Sequence, residues 1–209
     1  PEDIRNLAQN TNCSIFYVYY HKFLHNNFEK VQEYIDAAAE CNAKIFINFK
    51  HNIAEDDLPQ IIKFINYLKS TKIDGIFVNS YAILEAIKSQ KISFKVIIDS
   101  YFDIHNVAAI EFLNTFHKID GLILTEEIYT KNIAKIKKYT NIHLAIDTDN
   151  LPWCIKDILK RKAINYTVIK GDFESSEAIA DAIKYIENII NFPEKYKNKK
   201  LPFKHVRKG

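Results

Sequence analysis

Gly75-Ile76-Phe77-Val78 is an apolar run with no polar alternate. A strand with one wet face alternates polar and apolar side chains. A run that does not alternate is covered on both faces, as in a parallel sheet whose crossovers are helices. Ile45-Phe46-Ile47 and Leu122-Ile123-Leu124 read the same way. Working outward, short β-branched or aromatic runs at 14–20, 44–49, 74–79, 94–99, 121–125, 143–147 and 166–170 are expected strands. Between them, apolar residues recur every three or four positions at 28–41, 56–70, 81–89, 105–116, 129–139, 175–190 and, more weakly, 152–161, and 2–9 is one further candidate helix. The alternation is a βα repeat of about seven strands, hence a parallel α/β fold. A doubly wound dinucleotide-binding sheet calls for a glycine-rich phosphate turn after its first strand, and none is present. A (β/α) TIM-barrel-like domain is therefore expected over residues 1–192, with residues 193–209 as a basic tail.

Composition narrows the function classes. The chain has 209 residues, 47% hydrophobic and 26% charged, with four Gly and five Pro, which suits one globular domain and not a disordered or collagen-like protein. No run is long and apolar enough to span a bilayer, and Pro1-Glu2-Asp3-Ile4-Arg5 lacks the basic-then-apolar pattern of a signal peptide, so a cytoplasmic protein without membrane contact is expected. The formal charge is +3, but seven Lys or Arg against one Glu lie between Glu194 and Gly209. A terminal charge run of this kind is ordinarily solvated, so no DNA partner is expected. Cys13, Cys41 and Cys154 are far apart and show no C-x-x-C spacing. They read as buried structural thiols.

Polar residues gather where the expected strands finish: Asn48 and Lys50, Asn79 and Ser80, Asp99 and Ser100, Thr125 and Glu126, Asp147 and Asp149, Lys170 and Asp172. In a barrel these positions converge at the C-terminal mouth, where sites of that fold are built. Asn48, Asn79, His105, Asn106 and Asp147 are the substrate-binding candidates. Lys170, Asp172, Glu126 and Asp99 are the catalytic ones. Lys170 follows Val168 and Ile169, where burial would favour a neutral, nucleophilic amine of the Schiff-base aldolase kind. The preferred structural reading is an ion pair with Asp172, Asp147 or Glu126 at the barrel mouth. Glu126 and Glu127 could transfer protons if held beside a substrate. Asp147-Thr148-Asp149 with Asp99 and His105 could ligate a hard cation. Helix capping is the preferred reading for Asp103, ahead of the helix near His105, and for Asp149 or Asn150, ahead of Pro152; no metal site is expected. Phe16, Tyr17, Tyr19, Tyr20 and Phe23 read as a core or interface stripe rather than a base-stacking platform. G-x-S-x-G, H-E-x-x-H and P-loop motifs do not occur.

Three stretches resemble the peptidase U32 family. Asp99-Ser100-Tyr101-Phe102-Asp103-Ile104-His105-Asn106-Val107-Ala108-Ala109-Ile110-Glu111-Phe112-Leu113 is similar to the family's strand followed by "IHNS-A--FL". Gly121-Leu122-Ile123-Leu124-Thr125-Glu126-Glu127-Ile128 stands in the place of "VVLARELS". Val168-Ile169-Lys170-Gly171-Asp172-Phe173-Glu174-Ser175-Ser176-Glu177 stands in the place of "KIEGRMKSPEYV". The resemblance implies a TIM-barrel-type fold. It also implies relatives that are peptidases by name, or iron–sulfur hydroxylases of RNA bases and ubiquinone precursors. Three departures qualify it. The cysteine group that holds the hydroxylases' cluster is replaced here by Cys154 alone, so no cofactor is expected. The family's Glu and Arg in the third stretch become Lys170 and Asp172, which reverses both charges. No counterpart of the family's opening strand is read ahead of Pro1, so a barrel short of one strand is the expectation. The expected function is that of a divergent U32-like protein acting on a biosynthetic intermediate or RNA, or assisting a larger relative as a non-catalytic partner. A Schiff-base lyase using Lys170 is the alternative.

Overall fold

The computed structural model describes residues 1–23, 27–49, 54–88, 90–99, 102, 104, 106–124, 143–147, 166–168 and 175–191. The described elements are α1 (Glu2–Asn10), β1 (Ile15–Tyr19), α2 (Lys30–Glu40), β2 (Lys44–Phe49), α3 (Leu58–Leu68), β3 (Gly75–Val78), α4 (Tyr81–Lys88), β4 (Lys95–Ile98), α5 (Val107–Phe116), β5 (Gly121–Leu124), β6 (His143–Asp147), β7 (Tyr166–Val168) and α6 (Ser176–Asn191). Short 3-10 turns lie at Tyr20–Phe23 and Glu55–Asp57. All seven strands form one sheet in sequence order, and each neighbouring pair is parallel. The expected helices at 129–139 and 152–161 lie outside the described residues, as does the basic tail.

The unbroken apolar runs have the cause assigned to them. Successive side chains of a strand point to opposite faces. Ile45, Ile47, Ile76, Val78, Val96, Ile98, Leu122 and Leu124 join the helices in one core, where Ile61, Phe64, Ile65 and Leu68 of α3 and Ile83, Leu84 and Ile87 of α4 cover them. Their alternates Phe46, Phe77 and Ile123 form a second cluster on the other face, with Ile15, Tyr17 and Ile97 packed against it. The aromatic opening strand is divided by the same rule. Phe16, Tyr20 and Phe23 enter the helix-side core, where Tyr20 and Phe23 pack on Phe64, while Tyr17 meets Phe77 edge-on at 5.6 Å. Burial, with Asp57 adding to it, pushes the Tyr20 hydroxyl pKa up.

Register is pinned at the start of the strands by a repeated device. Lys72-Ile73-Asp74-Gly75-Ile76-Phe77-Val78 and Lys118-Ile119-Asp120-Gly121-Leu122-Ile123-Leu124 are near-copies, and the same contacts recur in each. Asp74 Oδ2 accepts the Ile45 N–H at 2.9 Å, and the Asp74 N–H donates to the Ile45 carbonyl at 3.0 Å. Asp120 treats Val96 likewise, at 2.9 and 2.8 Å. Each aspartate thus clamps its strand to the preceding one at two points. The glycine that follows Asp74 is required by space: a Cβ at Gly75 would lie 2.4 Å from the Phe46 ring and 2.7 Å from the Lys95 carbonyl oxygen. The second contact is backbone and cannot turn aside.

α1 joins the ends of the structure. Arg5 Nε donates to Glu40 Oε2 of α2 at 2.7 Å, and Asn6 Nδ2 donates to Ser176 Oγ of α6 at 3.1 Å. Ile4 and Leu7 are buried in the core that also holds Ala180 and Ile183. α2 follows the first described strand and α6 the last, so α1 bridges these two helices, while strand pairing runs from β1 to β7. The Arg5 hydrogen bond holds the Glu40 carboxyl below its ordinary pKa.

Two local expectations are corrected. The cap of α5 is Asn106 and not Asp103: the helix starts at Val107, and Asn106 Oδ1 accepts the Ala109 N–H at 2.9 Å. An N-cap must sit directly before the first helical residue for its side chain to reach back to the free N–H groups, and Asn106 holds that position. Cys13 and Cys41 are half-buried rather than buried. Cys13 Sγ donates to the Ile15 carbonyl at 3.3 Å, and burial pushes its thiol pKa up. Cys41 is the C-cap of α2, which ends in a Schellman turn with Asn42 at φ 54° and the Ala43 N–H donating to the Ala38 carbonyl at 2.8 Å.

Three stability outcomes follow, all measurable by urea denaturation. Gly75→Ala overpacks the β2–β3–β4 contact and is expected to cost about 1–3 kcal/mol. Asp74→Ala and Asp120→Ala each strand a backbone N–H and are expected to cost about 1–3 kcal/mol, adding in the double variant because the clamps share no partner. Asn106→Ala removes a helix cap and is expected to cost about 1 kcal/mol.

Candidate functional site

Strands that are apolar on both faces leave room for polar side chains only at their ends. At the C-terminal end of the sheet stand Asn48 near the end of β2, Asn79 after β3, Asp99 after β4 and, by backbone position, Asp147 at the end of β6. Asn48 is 5% exposed and Asp99 3%. They meet although β3 lies between their strands: Asn48 Nδ2 donates to Asp99 Oδ2 at 3.0 Å. Contact between alternate strands is how side chains layer inside a (β/α) barrel. Asn48 stands level with Tyr19 of β1 on one side and Phe77 of β3 on the other, so it shares a level with the Phe77 ring, two residues along the strand from Phe46.

Asp99 is anchored through its backbone. Its N–H donates to the Val78 carbonyl at 2.8 Å, and its carbonyl accepts the Phe102 N–H at 3.0 Å. A charge-assisted bond such as that from Asn48 to the carboxylate is worth about 1.5–3 kcal/mol. The other side of the Asn48 amide is less well served: Oδ1 is enclosed and meets no donor of the protein, a deficit of about 1–3 kcal/mol for a buried acceptor. Aromatic rings stand nearby in sequence and register. The Tyr17 and Tyr19 hydroxyls lie 3.5 Å apart, Tyr19 stacks on His21 with ring centroids 5.6 Å apart, and the half-exposed Tyr81 rests edge-on against Phe102 at 4.6 Å. Tyr19 was not among the site candidates. Its two-residue spacing from Tyr17 on one strand face was the available signal.

The structure brings together two of the sequence candidates, Asn48 and Asp99. Asn79 follows β3, the strand that lies between theirs, and Ser80 next to it accepts the Ala82 N–H at the start of α4. Asn106 is committed to its helix cap. Asp147 is placed by its backbone alone. Glu126, His105, Lys170 and Asp172 lie outside the described residues. Among the described residues no three His, Cys, Asp or Glu side chains are grouped as metal ligands, and no helix is long and apolar enough to cross a membrane. Cys13 precedes β1 and Cys41 precedes β2, at the opposite end of the strands from Asn48 and Asp99. Those two thiols do not fit an iron–sulfur cluster at the mouth, whose ligation needs several thiolates at one place.

No curated protein matches the chain. Among solved structures it resembles a candidate fructose-1,6-biphosphate aldolase from Coccidioides immitis, with TM-score 0.64 and 14% identity over 91% of this chain and 86% of that one. It also resembles orotidine 5'-phosphate decarboxylase from Thermotoga maritima, with TM-score 0.52 and 17% identity over 88% and 92%. At such identities these likenesses speak for the fold alone, a parallel α/β, TIM-barrel-like one. A further match is the U32 peptidase Mk0906, with TM-score 0.48 and 13% identity over 57% of this chain and 51% of that one, so the chain spans about half the length of that protein. The model of peptidase family U32 matches residues 20–148, which include the Asn48–Asp99 pair and most of the sheet, and the chain therefore belongs to peptidase family U32.

Proposed function

We propose that this chain is a U32-family barrel that binds a biosynthetic intermediate or RNA at the C-terminal ends of its strands, and acts on it or holds it for a catalytic partner, without an iron–sulfur cluster of its own. The observation that carries the reading is the buried Asn48–Asp99 pair, with a 3.0 Å bond between alternate strands. It places polarity among strands that are apolar on both faces, where a merely structural layer would do better with aliphatic side chains. Three cysteines in the whole sequence, two of them at the far end of the strands, support the cluster-free part. The family name supplies no nucleophile: the described strand ends offer amides and a carboxylate, which bind and orient polar groups and, for the carboxylate, exchange a proton with a ligand held close.

Protein purified anaerobically from its own cells is expected to carry iron and acid-labile sulfide far below one cluster per chain. Native mass spectrometry of the same sample is expected to find a bound small molecule, RNA or a larger U32 relative. A stoichiometric cluster overturns the cluster-free reading. A chain that is always recovered alone overturns the binding one.

A further inference from the structure

The beginnings of the strands carry a row of lysines. Lys44 opens β2 and Lys95 opens β4, while Lys72 and Lys118 head the two Lys-Ile-Asp-Gly copies that lead into β3 and β5. Four neighbouring strands thus each bring one lysine to the same end of the sheet, and all four are exposed. Gly75 lies opposite Phe46 and Lys95, and Gly121 opposite Ile97, so the four fall within three residues of one another along the strand direction. Among the described residues none of the four forms an ion pair; the pairs there join Arg5 to Glu2 and Glu40, and Glu85 to Lys88 and His117. The two carboxylates set among the lysines, Asp74 and Asp120, are turned to the Ile45 and Val96 N–H groups. Helix dipoles do not account for the row. A cation favours a helix C-terminus within the last turn, and α2, α3 and α5 have no base there.

The row is preorganised. The Lys44 N–H donates to the Ser14 carbonyl at 2.8 Å and the Lys95 N–H to the Asp74 carbonyl at 2.9 Å, and the aspartate clamps tie β2 to β3 and β4 to β5. With neighbouring strands about 4.8 Å apart, four starts span about 14 Å. One strand of a nucleic-acid duplex presents a charge about every 3.4 Å of axis, hence about four or five phosphates over that length. An extended acidic peptide shows one face a side chain about every 6.8 Å, hence two or three carboxylates. Resting on the RNA branch of the functional reading, we propose that this end of the sheet, opposite the Asn48–Asp99 pair, docks the phosphate backbone of a double-stranded RNA stem. Contacts to phosphate alone position a partner without reading its sequence. The row therefore holds the RNA, and recognition is left to another part of the molecule.

The test is fluorescence anisotropy of a labelled RNA duplex of about 20 base pairs, titrated with the full chain across a series of salt concentrations. Lys44→Gln, Lys72→Gln, Lys95→Gln and Lys118→Gln are each expected to lower the slope of log affinity against log salt by about 0.9, one phosphate contact apiece, and the fourfold variant by about 3.6. Lys→Arg at the same positions is expected to keep the slope, and so is Lys63→Gln on the exposed face of α3. Circular dichroism checks that each variant keeps its fold. The proposal is overturned if the fourfold variant folds and binds RNA with an unchanged slope, if polyglutamate competes as well as the duplex, or if vesicles of anionic lipid bind the chain and RNA does not. RNA held equally well by the row variants would sink this inference and leave the reading of the mouth standing. A row that binds RNA in a chain always recovered alone from its own cells would sink only the latter.

Discussion

A strand covered on both faces can carry a polar side chain only where it ends, because an unpaired polar group in its middle would be cut off from water on either side. That constraint organises the whole molecule. It makes Ile45–Phe46–Ile47 and Gly75–Val78 uniformly apolar, sends Ile47 and Val78 to the helices and Phe46 and Phe77 to the other face, and leaves the strand termini as the places where chemistry can be written. Both termini are used. The beginnings carry Asp74 and Asp120, whose carboxylates bind backbone and lock the register. The far ends carry Asn48 and Asp99, which bind each other.

The two sets of carboxylates are alike in kind and different in consequence. Asp74 and Asp120 are spent on backbone N–H groups of the neighbouring strand, so their negative charge is answered within the sheet. Asp99 takes a hydrogen bond from a side-chain amide two strands away. The first arrangement ends in the fold, whereas the second joins two side chains at the strand ends.

Much of the architecture was legible because period is a property of the sequence. The expected strands at 44–49 and 143–147 coincide with β2 and β6, and the helices differ from expectation by a few residues at their ends, where capping decides. The start of α5 is the instructive case: Asp103 and Asn106 are both good caps by type, and only the backbone tells which one precedes the first helical residue. The KIDG repeat was visible as letters, yet its meaning needed the register, since nothing in one strand says which N–H of another it will clamp. The candidate site was legible as a list of strand ends and not as a constellation. That Asn48 and Asp99 touch while Asn79, nearer to both in sequence, belongs to the strand between them follows from the stagger of the sheet, which no linear spacing encodes. Lys170, the sharpest catalytic candidate by residue type, lies beyond the described residues.

The bridge made by α1 carries a temporal consequence. Asn6 and Ser176 are 170 positions apart, and Ile4 and Leu7 share a core with Ala180 and Ile183 of the last described helix. An early segment of this sequence therefore acquires part of its packing from one 170 positions further on. Until α6 has been synthesised, α1 holds an apolar stripe with part of its lining absent, and closure of a loop of 170 positions must precede its docking. A nascent chain stalled before α6 would present that stripe to chaperones.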